Sequence, residues 1–153
     1  MAGFQAMAGL AAGALLLMAC PAAQAQTSPA RTIGLGDPSR AQLLDALRAV
    51  IAKDLGQPVM FVVDDMRVQG DWAFVVAHPR TPAGAKIDFA KTHYAERLEE
   101  GVLDGDILYA LLQKRAGKWT VAAFMIGPTD VGWMDWQDTY KTPAGLIPQP
   151  RGN

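Results

Sequence analysis

Two neighbouring stretches of this chain alternate like β-strands yet are apolar on both sides, and that pattern narrows the possible folds more than any other feature. Residues 58–68 (PVMFVVDDMRV) and 71–78 (DWAFVVAH) are rich in β-branched and aromatic side chains, with Gln69-Gly70 between them as a tight turn. Folded into a hairpin about that turn, they carry Met60, Val62, Asp64, Met66, Ala73, Val75 and Ala77 on one face. Phe61, Val63, Asp65, Arg67, Trp72, Phe74, Val76 and His78 take the other. A sheet that is apolar on both faces needs a cover on each: a helix, a curled sheet or a partner subunit.

One cover is plain. Asp37 is an N-cap residue and Pro38 suits the first helical position. Leu43, Leu44, Leu47, Val50, Ile51 and Leu55 then recur at steps of three and four up to Gly56. A second hairpin is expected from residues 107–114 and 118–126 about an Ala116-Gly117 turn. Between the hairpins, residues 79–86 form a loop, and 89–100 form a short helix with Phe89, Tyr94 and Leu98 as its apolar members. Thr129 or Asp130 caps a last helix, 131–140, whose Trp133, Trp136 and Tyr140 fall on one face. The expected fold is α+β: an N-terminal helix packed on a four-stranded antiparallel meander, with a C-terminal aromatic helix to cover the other face or its edge. The arrangement is cystatin-like in its order of elements.

Charge divides the chain. All 14 Lys and Arg and all 15 Asp and Glu lie beyond residue 30. Residues 6–20 are an apolar run, followed by Ala23-Gln24-Ala25, the small-x-small pattern of a signal-peptide cleavage site after Ala25. The run is shorter than the roughly 20 residues of a spanning helix. The implied organisation is a signal peptide at 1–25, a flexible leader at 26–36, one domain at 37–141 and an irregular tail at 142–153. A rival processing reading takes Leu17-Met18-Ala19-Cys20 as a lipobox with Cys20 acylated. Cys20 is the single cysteine, so no internal disulfide can form and the domain depends on its core.

A net charge of −1 with both signs scattered offers no stripe for a phosphate backbone, which argues against nucleic-acid binding. There is no phosphate loop, nucleophile elbow, HExxH or CxxC. His93 and Glu96 with Glu100 or His78 make a poor metal set, and Asp104-Gly105-Asp106 lacks the other oxygens of a calcium loop. No cofactor is expected. Asp64 and Asp65 alternate to opposite faces, so they do not form a dyad. Asp65 or Asp64 could serve His78 as acid–base partner, and an aspartate here could equally be a bulge residue paired with Arg67. Trp133 and Trp136 suit stacking on a ligand and suit core packing as well.

The wording Arg40-x-x-Leu43-Leu44-Asp45-Ala46-Leu47-Arg48, Trp72-Ala73-Phe74, Ala110-Leu111-Leu112, Trp119-x-Val121 and Ile126-Gly127-Pro128-Thr129-Asp130-Val131 resembles a family of exported bacterial proteins of no known activity. The resemblance implies export and one compact domain, and carries over no catalytic residue. The functional expectation is an exported, periplasmic or secreted, non-enzymatic domain. It would bind a small apolar ligand, a peptide or an envelope protein through Asp65, Arg67, Trp72, His78, Trp133 and Trp136. The alternatives are a small hydrolase or isomerase using His78 with Asp64 or Asp65, and a structural homodimer that buries an uncovered sheet face.

Overall fold

The computed structural model describes residues 28–149, so Cys20 and the cleavage site at Ala25 lie outside the described residues. Five strands form one antiparallel sheet in the order β1 (Arg31–Thr32), β2 (Met60–Gln69), β3 (Trp72–Arg80), β4 (Leu108–Arg115) and β5 (Lys118–Ile126). The chain is α+β with one strand more than the four expected, because Arg31 and Thr32 of the leader pair with Val68 and Arg67. Ile33 then buries its side chain and donates its N–H to the Met66 carbonyl at 2.8 Å. Two residues of strand carry no readable alternation, so this element was invisible to periodicity.

Helix α1 (Pro38–Leu55) forms as its sequence dictates. The Asp37 carboxylate accepts the Ser39 N–H at 2.8 Å, Pro38 opens the first turn, and Gly56 closes the last with φ of 68°. Leu43, Leu47, Ile51 and Leu55 are buried against Met66, Ala73, Val75, Ala77, Leu108, Ala110 and Leu112 of the sheet. Each such aliphatic side chain contributes about 1.5–3 kcal/mol of burial.

The register corrects the expected faces of the first hairpin. Its turn is Gly70-Asp71, since Gln69 still pairs with Trp72, and Gly70 takes the positive φ the turn requires. Val63 pairs with Ala77 but Asp65 with Val76, which leaves Asp64 as an extra residue on β2, a β-bulge. One inserted residue reverses the alternation before it. Phe61 and Val63 therefore pack into the α1 core, while Met60 and Val62 turn to the opposite face. Asp64 and Asp65, expected on opposite faces, end on the same one.

That opposite face is closed by the C-terminal segment, which folds as a 3₁₀ turn (Gly132–Asp135) running into α3 (Trp136–Tyr140) rather than as one helix. Trp133 and Trp136 pack over Phe74 and Leu111 together with Leu146 and Ile147, both fully buried. The tail expected to be irregular thus supplies two of the six buried side chains of the second core. The Trp133 ring stacks on Tyr109 at 4.7 Å and meets Phe74 at 5.6 Å. The helix expected at 89–100 is likewise broken, into a 3₁₀ turn (Phe89–Lys91) and α2 (Ala95–Glu99). Thr92 interrupts it with extended backbone, its hydroxyl donating to the Phe89 carbonyl and accepting the Tyr94 N–H. Among the described residues no helix is long and apolar enough to cross a membrane.

Candidate functional site

The six residues singled out in the sequence share one sheet face but do not meet in one place. Trp133 and Trp136 are 9% and 6% exposed, closed within the second core, and present no free ring to a ligand. Trp72 sits at the turn end of β3, edge-on to Tyr140 at 6.4 Å. Asp65 and Arg67, two apart on β2, close on each other at 2.7 Å. His78 lies at the far end of β3, as alternation implies.

Around His78 the fold assembles a chain of charges. The bulge turns the Asp64 carboxylate to His78 Nε2 at 2.9 Å, and the turn ahead of β4 brings Asp106 to His78 Nδ1 at 2.7 Å. Arg80 donates to the second Asp106 oxygen at 2.7 Å and to the Pro79 carbonyl at 2.8 Å. Burial pushes the Asp106 carboxyl up, but the hydrogen bonds and charges of His78 and Arg80 outweigh it and hold the group below the usual carboxylate range. Burial raises the Tyr109 hydroxyl, helped by the charge of Asp64. Two carboxylates satisfy both ring nitrogens only when each nitrogen carries hydrogen. Both ring nitrogens thus have carboxylate partners, so a substrate would have to displace Asp64 or Asp106 to reach either.

Asp106 and Arg80 were missed in the sequence. Asp106 stands 28 residues from His78 and meets it only because Gly105, with φ of 68°, turns the chain just before β4.

A second cluster joins α1 to the connection between the hairpins. Asp54 accepts from the Tyr94 hydroxyl at 2.8 Å and from His93 Nε2 at 3.0 Å. Arg97 lies 5.7 Å over the Tyr94 ring. Burial, then the Asp54 carboxylate, raises the Tyr94 hydroxyl far above its ordinary value, so it remains a donor. His93 is thereby engaged in a polar tie at the end of α1, and no metal-binding group of three occurs among the described residues.

Beside this cluster runs β5, the last strand of the sheet, and among the described residues no strand lies on its outer side. Two recesses follow it. One, about 590 Å³, is lined by Ala49, Val50, Lys53, Asp54 and Phe124. The other, about 330 Å³, lies between Tyr94, Arg97 and residues Phe124–Ile126 and Pro128–Asp130. Phe124 is in the wall of both. No family model matches this chain, and no curated protein or solved structure matches it significantly.

Proposed function

We propose that this chain is an exported, periplasmic or secreted, non-enzymatic domain that binds an extended peptide with apolar side chains along the free edge of β5. The observation that carries the reading is the pair of recesses meeting at Phe124 on an unpaired strand edge. A peptide added to a sheet edge hydrogen-bonds through its main chain and sends alternate side chains, about 7 Å apart, to the same face. Two successive side chains on the α1 side would then enter the two recesses. Lys53, Asp54, Arg97 and Asp130 around them supply a polar rim of both signs.

Export rests on the uncharged N-terminal run, the small-x-small site and the resemblance to exported bacterial proteins. The cystatin-like order, one helix across an antiparallel meander, belongs to the same proposal. The enzymatic alternative loses ground because both His78 nitrogens are engaged. The homodimer loses its motive because the chain's own C-terminal segment fills the second face.

The test is an NMR titration with octapeptides in which Val or Leu alternates with Thr. Amide shifts should concentrate on residues 121–126, and Phe124→Ala should weaken binding about tenfold, the size of one truncated anchor. Shifts confined to other elements, or an affinity indifferent to Phe124→Ala, would sink the reading.

A further inference from the structure

We propose that His78 is a proton-dependent latch that ties the β2 bulge to the turn ahead of β4 when its ring is protonated, and releases Asp64 when it is not. The latch sits where the sheet is least covered. On its outer side β2 is paired by β1 only at Arg67 and Val68, with Ile33 reaching Met66, because the chain leaves there to start α1. Among the described residues no strand pairs the edge from Met60 to Asp65, and Met60 and Val62 are 40% and 50% exposed on the face the C-terminal segment closes elsewhere. An open strand edge is a template for unwanted pairing, and a bulge held in place is one way to blunt it.

The two halves of the latch are unequal. Asp106 is 20% exposed and anchored by Arg80, while Asp64 is 49% exposed, belongs to the unpaired bulge residue and is held by His78. The imidazolium donates to both. A neutral ring keeps one hydrogen, which stays with the better-fixed Asp106 at Nδ1, and its Nε2 lone pair then faces the Asp64 carboxylate in repulsion.

The charged or titratable groups facing the ring can be named element by element. β2 brings Asp64, with the Asp65–Arg67 pair closed on itself nearby. β3 brings Arg80, and the turn before β4 brings Asp106, whose other side borders a recess with Lys86. β4 brings the Tyr109 hydroxyl, and the described part of the C-terminal segment brings the uncharged Trp133 ring over Tyr109. His78 is thus the one imidazole among these groups, and the latch turns on whether its ring carries one hydrogen or two.

Amide hydrogen exchange on the full chain from pH 5 to 8.5 tests the latch, with His78 titration followed by NMR on the same samples. After correction for intrinsic exchange, protection of residues 62–65 should fall about tenfold, the weight of one charge-assisted hydrogen bond, with the midpoint of the His78 ring. Asp64→Asn offers the ring an acceptor or a donor as required, so it should abolish the step while His78 still titrates. His78→Gln should be flat in pH as well. Protection of wild-type β2 that is flat through the His78 midpoint, or a step that persists in Asp64→Asn, overturns the proposal.

Discussion

The two faces of this sheet are covered by opposite means. On one, a single regular helix lays Leu43, Leu47, Ile51 and Leu55 against aliphatic strand residues. On the other, short turns and a tail place two tryptophans, Leu146 and Ile147 over Phe74 and Leu111. A helix carries its own backbone hydrogen bonds and needs only a stripe, so it can be moved or trimmed piecewise. An irregular cover has few internal bonds and is held by large side chains in particular positions, so it should stand or fall as a unit. It also ends sooner, leaving Met60 and Val62 exposed at the sheet's far end, beside the largely covered His78, Arg80 and Asp106.

The largest expected effect follows from that unity. Ending the chain after Thr142 removes Leu146 and Ile147 and opens the second core over Phe74, at a cost on the order of 5 kcal/mol, a large part of a small domain's stability. Urea unfolding should show a much lower midpoint, and the near-ultraviolet circular dichroism from Trp133 should collapse. Leu47→Ala, on the regular face, should cost about 3 kcal/mol and leave that aromatic signal intact. If the truncation costs less than Leu47→Ala, the tail is not the second cover and the contrast breaks.

The same contrast explains what could be read in the sequence. The cap at Asp37, the stop at Gly56 and the stripe between them are local rules that tertiary contacts did not override, so α1 was legible to the residue. The apolar character of both hairpin faces was legible too, and with it the need for two covers. The faces of residues 60–64 were not, because a bulge is one unpaired residue whose insertion no alternation pattern marks. Leu146 and Ile147 stand among Pro143, Gly145 and Pro148 with no periodicity to flag them as core. Asp106 and Phe124 gain their roles from neighbours distant in sequence, which spacing cannot express. Trp133 and Trp136 were rightly placed on one face of their segment. Whether that face met a ligand or the sheet was a tertiary question, answered by Phe74 and Leu111.

A smaller effect probes the hinge between the regular sheet and the polar end. Gly127 has φ of 54°, and its N–H donates to the Ile107 carbonyl while its carbonyl accepts from Asp104, which fixes the turn that carries Asp106. A Cβ there would lie 2.7 Å from Leu103 Cδ1 and 2.8 Å from the Gly105 carbonyl oxygen, the second of which cannot move aside cheaply. Gly127→Ala should cost about 2 kcal/mol and shift the Asp106 and His78 resonances, while Trp133 and Phe74 stay in place. Disturbance of the aromatic core instead would mean that the two ends of that face are not independent.

The smallest effect concerns pH. The Asp106 carboxyl is held below its ordinary range in the folded chain, whereas in the unfolded chain it returns to about 3.9. A group with a depressed folded value binds fewer protons folded than unfolded. Its stabilisation is therefore complete above about pH 4 and is lost as pH falls through the folded value. Asp106→Asn removes the charge, so the Tm of the wild type should exceed that of the variant by a few degrees at pH 6, and the two curves should converge below pH 4. Because Asp106 is mostly covered, added salt should narrow the gap only slightly. A gap that widens on acidification would mean that burial, not His78 and Arg80, governs this carboxylate, and that the uncovered end of the sheet is no more polar in its energetics than the covered one.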